Sequence, residues 1–101
     1  MLSLNKNTNM TVGEFESILR KERIFEEFGI SKLGLFGSFA RGEKYHDIDI
    51  LLEQNLDYTI REKLKDKLQS LLNIKVDLVP EKFADPIILY RARQDLKYVT
   101  R

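Results

Sequence analysis

Residues 32–52 set two short apolar runs, KLGLF and DIDILL, on either side of a connector that begins Gly37-Ser38 and ends at His46. Alternation decides what the second run can do. On an extended strand neighbouring side chains point to opposite faces, so Ile48, Ile50 and Leu52 share one side and Asp47, Asp49 and Leu51 the other. The apolar side needs a core to cover it. The carboxylate side needs water, cations or a ligand, because burying an unpaired charge is strongly unfavourable. A chain built around this segment is a sheet with one buried face and one face left open at its acids.

The flanking sequence supplies helices to cover such a sheet. Thr11 followed by Glu14 is a capping-box signature. Phe15, Ile18, Leu19, Phe25 and Phe28 recur near helical spacing, which predicts one amphipathic helix over residues 12–28 with Gly29 as its stop. Residues 38–42 read as a short helical turn with Gly37 at the bend. A second long helix fits residues 57–72, with Ile60, Leu64, Leu68, Leu71 and Leu72 along one stripe. KVDLV, residues 75–79, is a third strand ended by Pro80. Asp85-Pro86 places a cap before a proline at the first helical position, opening a helix that runs to about Gln94. Residues 96–100 read as a last strand. The order is α-β-α-β-α-β-α-β, an α/β (α+β) chain. Residues 1–10 are polar and Asn-rich and are expected to be a flexible leader, with residues 11–101 a single domain.

Composition narrows the function classes. At 101 residues, 43% hydrophobic and 33% charged, the chain suits one globular core. A net charge of +1 supplies no global drive toward nucleic acid, so direct nucleic-acid binding is not expected. Arg91, Arg93, Lys97 and Arg101 gather near the C-terminus, and fit either a solvated helix face or contact with an acidic partner or RNA. The lack of cysteine excludes disulfides and thiolate metal sites. No apolar run approaches the ~18 residues of a membrane-spanning helix, and residues 1–10 lack a signal-peptide core. The expectation is a cytoplasmic protein with no membrane partner. A small sheet with an exposed edge also leaves homo-oligomer formation open.

The motif carries the chemistry. Residues i and i+2 of a strand lie about 6.6 Å apart, at ~3.3 Å rise each, and their carboxylates can converge on metal ions. Oxygen-only ligands suit Mg²⁺. Asp47 and Asp49 alone also fit a solvated strand edge. Asp77 adds weight, because it interrupts the apolar run between Val76 and Leu78. Three carboxylates from two strands make a two-metal site, in which Asp77 also assists the base step. Gly37 lets backbone N–H groups approach an anion, and the Ser38 hydroxyl can bond a phosphate oxygen. Arg41 has three roles open to it: a phosphate contact, a pair with a motif carboxylate, or an exposed structural arginine.

Gly37-Ser38, Arg41-Gly42, Asp47-Ile48-Asp49 and Asp77 within VDLV together resemble the nucleotidyltransferases of the DNA polymerase β superfamily, and most closely the minimal nucleotidyltransferases (MNT, MntA-like) of prokaryotes. The resemblance runs from about residue 12 to the end and includes DPIILYRARQDLKYV. It implies a polymerase-β-like fold, a small mixed sheet with helices packed mainly on one face. It implies transfer of a nucleoside monophosphate, AMP from ATP, to a hydroxyl group with two Mg²⁺ ions. Asp47, Asp49 and Asp77 are then the catalytic and metal-holding residues, and Gly37, Ser38, Arg41 and Gly42 the nucleotide-binding ones. With no acceptor domain in the chain, the acceptor is expected on a partner, a helical HEPN-domain toxin to which the small transferase acts as antitoxin. Two features depart from the pattern: His46 replaces a serine, and the connector Glu43 to His46 is about two residues short. They keep a second reading open, in which an inactive fold neutralises the HEPN partner by occlusion alone.

Overall fold

The computed structural model describes residues 10–101. The expected leader lies outside the described residues except for Met10, whose backbone N–H donates to Tyr45 Oη at 3.1 Å. The capping box forms as read. Glu14 N–H donates to Thr11 Oγ1 at 3.1 Å and Thr11 N–H to Glu14 Oε1 at 2.8 Å, and α1 runs over Val12–Lys21. The single helix expected over 12–28 is instead two. α2 is Ile24–Phe28, and Arg23 between them adopts a left-handed φ of 57°. The reason lies in the stripe. Phe15 and Leu19 continue helically onto Glu22, Arg23 and Glu26, whereas the next core side chains are Ile24 and Phe25, both buried. One left-handed residue rephases the chain so that both pairs face inward. α2 ends at Gly29, whose φ of 65° is the left-handed stop that glycine permits.

β1 (Lys32–Phe36), β2 (Asp47–Leu52), β3 (Lys75–Pro80) and β4 (Lys97–Thr100) form one mixed sheet in the order β3-β2-β1-β4. β1 is antiparallel to both β2 and β4, while β2 and β3 are parallel. A parallel pair needs a crossover, and α4 (Tyr58–Leu72) provides it. Its start is fixed by Asp57, whose carboxylate accepts from Ile60 N–H at 3.0 Å. β3 runs one residue past expectation, because Pro80 sits on an edge strand where its missing N–H costs no ladder bond.

The core fills one face of the sheet. Phe15 and Leu19 of α1, Ile24 and Phe25 of α2, and Leu64, Leu68 and Leu72 of α4 close over Leu33, Leu35, Ile48, Ile50, Leu52 and Val76. Ile60, expected on that stripe, is exposed in the first turn of α4. The other face is thinly covered. There α5 (Pro86–Asp95) packs on β1 and buries only Ala92 among its residues, which leaves the acid side of β2 accessible. No described helix is long and apolar enough to cross a membrane.

Left-handed backbone costs a non-glycine residue about 1–2 kcal/mol, and the Arg23–Glu26 ion pair, at 3.9 Å and exposed, returns little. Arg23→Gly is therefore expected to stabilise the chain by about 0.5–1 kcal/mol, a rise of roughly 3–6 °C for a domain of this size. Thermal melting reads this directly, and an unchanged or lower Tm would contradict the rephasing account.

Candidate active site

The site begins where β1 ends. Gly37 opens α3 (Gly37–Ala40) and has a φ of 74°. Phe36 pairs with Asp49 across the antiparallel β1–β2 ladder, so the turn after Phe36 carries Gly37 onto the Asp49 carboxyl group. A Cβ at position 37 would lie 3.3 Å from Asp49 Cγ and would overlap Oδ2. Glycine is thus required twice, for its dihedral angle and for the space its absent side chain leaves. Sequence reading expected an anion-holding turn at Gly37. It did not foresee that the group seated against this turn is the Asp49 carboxyl.

The parallel β2–β3 ladder sets the remaining acids. Asp49 stands opposite Asp77, and Asp47 opposite Lys75. Asp47 and Asp49 are half-buried, and Asp77 is exposed on the edge strand. Burial pushes the Asp49 carboxyl up to about 6, and the negative charges of Asp47 and Asp77 add to that; Arg41 and Lys75 pull the other way. None of the three carboxylates has an ion-pair partner among the described residues. The structure therefore brings the three acids into one electrostatic group. It does not close them into a cage: among the described residues no set of three or more His, Asp or Glu side chains is gathered to hold a metal ion. The donor chemistry nonetheless fits Mg²⁺, since adjacent strands offer hard carboxylate oxygens that no ion pair among the described residues engages.

Of the roles open to Arg41, the structure shows the structural one. Its guanidinium pairs with Asp95 at 2.6 Å and with Glu43 at 3.1 Å, not with a motif carboxylate. Both partners hold its pKa above the ordinary value, chiefly through the hydrogen bond to Asp95. Arg41 thus ties α3 to the last turn of α5. Gly37, Arg41 and Asp49 share a cavity of about 460 Å³ with Asp85, Ile87, Ile88, Arg91 and Asp95 of the α5 region. Gly42 lines a different and larger hollow, about 690 Å³, with Tyr45 and Lys97. We take the smaller cavity as the site, because it is the one that holds Asp49. Ser38, Asp47 and Asp77 lie outside its wall.

The short connector is not slack. Tyr45 is buried, meets Phe39 edge-on at 4.8 Å between centroids, and bonds Met10 through its hydroxyl. The chain is thereby pinned before exposed His46, and β2 starts at Asp47 without a gap. Sequence reading missed Tyr45, although one aromatic among polar residues in EKYH was the available signal. It also missed the α5 wall, where Ile87 and Ile88 stand exposed.

Comparison with known proteins identifies the family. The nucleotidyltransferase domain family matches over residues 17–100. A Methanocaldococcus jannaschii protein, provisionally named a protein adenylyltransferase, is 40% identical over 96 residues, or 88% of this chain and 98% of its own length. The protein adenylyltransferase MntA of Thermococcus cleftensis is 38% identical over 76 residues, 69% of this chain and 77% of that protein. A solved toxin-antitoxin complex with AMP-PNP superposes with a TM-score of 0.66 at 29% identity, over 83% of this chain and 71% of that one. A complex of a tri-AMPylated Shewanella oneidensis HEPN toxin with an MNT antitoxin superposes at 0.57 and 25% identity, over 81% and 67%. With its mixed sheet, its Gly37–Asp49 turn and the acids of β2 and β3, the chain belongs to the nucleotidyltransferase domain family, as a minimal nucleotidyltransferase akin to the protein adenylyltransferases.

Proposed function

We propose that the chain transfers AMP from ATP to a hydroxyl group of a partner protein, and that the partner is a helical HEPN-domain toxin that it neutralises. The observation that carries this reading is the Asp49 carboxyl seated against Gly37, with Asp77 opposite it in register. The AMP-PNP complex and the AMPylated HEPN toxin among similar structures support the choice of nucleotide and acceptor.

Each residue then has a task. Asp47, Asp49 and Asp77 would hold Mg²⁺, two ions in all, which would supply positive charge to the triphosphate. Gly37 leaves its backbone open to a phosphate, and the Ser38 hydroxyl donates to a phosphate oxygen. The acceptor oxygen forms a bond to the α-phosphorus while the bond from that phosphorus to the bridging oxygen of the β-phosphate breaks, and pyrophosphate leaves. The hydroxyl proton passes to Asp77, the acid exposed at the sheet edge where a partner's side chain can reach. Positioning and charge neutralisation supply most of the rate.

Incubation with labelled ATP, Mg²⁺ and the HEPN partner tests the proposal. Wild type should label the partner, and Asp47→Asn or Asp49→Asn should lower transfer by at least about 100-fold, the scale of losing a principal charge-stabilising group. Transfer by either variant at the wild-type rate would rule the mechanism out. Gly37→Ala should remove transfer as well and cost about 1–3 kcal/mol of stability, since the new methyl meets both a left-handed backbone and the Asp49 carboxyl.

Asp49 also links function to stability. Its folded-state pKa of about 6 lies above the unfolded value of 3.8, so its ionisation opposes folding. The cost is absent below about pH 3.8, grows from there to about pH 6 and is complete above that. Solvent screening of a half-exposed group reduces the cost to about 1 kcal/mol. Asp49→Asn should therefore raise the melting temperature at pH 7.5, and the gain should shrink as pH falls toward 4. A gain that is the same at both pH values would show that the charge is not its source.

A further inference from the structure

The cavity beside Asp49 has two arginines in its wall, Arg41 and Arg91. Arg41 is already engaged, by Asp95 at 2.6 Å and Glu43 at 3.1 Å. Arg93, two residues beyond Arg91, is engaged by Glu81 and lies outside the cavity wall. Arg91 is exposed and has no ion-pair or hydrogen-bond partner among the described residues. The acids of the α5 region are spent elsewhere. Asp85 caps the helix, accepting from Ile87 N–H at 2.7 Å, and Asp95 holds Arg41.

α5 is patterned to present this free guanidinium. Ile87, Ile88, Arg91 and Asp95 recur at three- and four-residue spacing, which puts them on one helical face, and all four line the cavity. The face reads apolar, cationic, then neutralised acid. A planar guanidinium with its donors unspent matches phosphate oxygens, and does so at two points at once. The cavity, about 460 Å³, is within the range that takes a small ligand.

We infer that Arg91, in place of Arg41, is the cationic side chain that grips the triphosphate of the nucleotide in this cavity, with Ile87 and Ile88 forming the apolar wall beside it. The inference rests on the nucleotidyl-transfer reading above. It gives Arg41 a structural task, holding α5 over the sheet, and gives Arg91 the substrate contact.

Equilibrium binding of ATP with Mg²⁺ to the full chain decides it, with Arg91→Ala, Arg91→Lys and Arg93→Ala compared with wild type. Losing a charge-assisted phosphate contact should weaken Arg91→Ala by about tenfold to a hundredfold. Arg91→Lys keeps the charge but not the fork, and should fall in between. Arg93→Ala, with the same change in net charge, should stay within about twofold of wild type. Binding by Arg91→Ala within about twofold of wild type overturns the Arg91 assignment and leaves the transfer reading standing. Equal losses in Arg91→Ala and Arg93→Ala overturn it too, since net charge rather than a contact would then be responsible. A wild-type chain that binds no ATP overturns the transfer reading along with it.

Discussion

A carboxylate that has lost part of its water and faces two others of the same sign stays where it is only if the backbone around it allows no better place. At Asp49 that backbone is the Gly37 turn. The antiparallel pairing of Phe36 with Asp49 and the left-handed dihedral of Gly37 bring the two together, and the missing side chain makes room for the carboxyl group. The sheet cannot relieve the repulsion by sliding β2, because a one-residue slip would turn Ile48, Ile50 and Leu52 out of the core. Hydrophobic burial on one face therefore enforces electrostatic strain on the other. Under the proposed reading, a cation-bearing substrate would relieve that strain.

The arrangement also explains the division of labour between the two faces. α1, α2 and α4 cover the apolar side and account for most of the core, so the opposite side needs little protein. α5 lies there almost without burial, tied by the Arg41–Asp95 pair and anchored through Ala92. It leaves a cavity on one flank and an open sheet edge at Asp77 on the other. Under the proposed transfer reading, a nucleotide and an acceptor hydroxyl can then approach from different directions.

Local features of this design were legible in the sequence. The alternation that separates Ile48 and Ile50 from Asp47 and Asp49 has a period of two and needs no tertiary information. The Thr11–Glu14 cap and the Asp85-Pro86 start are likewise local chemistry. Asp77 stood out because it interrupts an apolar run, yet its register with Asp49 is a property of strand pairing and could not be read in advance. The same limit applies elsewhere. Arg23 breaks a helix because the core wants Ile24 and Phe25 inside, which periodicity alone did not show. Arg41 chooses Asp95, 54 residues away, over the nearer motif acids, and Gly42 turns toward a different hollow from Gly37. Tyr45 looked like part of a loop and proved to be core.

The central claim is that Asp49 is held ionisable near neutral pH by its burial and by its two acidic neighbours. A carboxyl-carbon NMR titration of Asp49 in the wild-type chain without Mg²⁺ tests it most directly. The account predicts a midpoint at about pH 6, moving down when Asp47 and Asp77 are both replaced by asparagine. A midpoint near the ordinary 3.8 in the wild-type chain would contradict it.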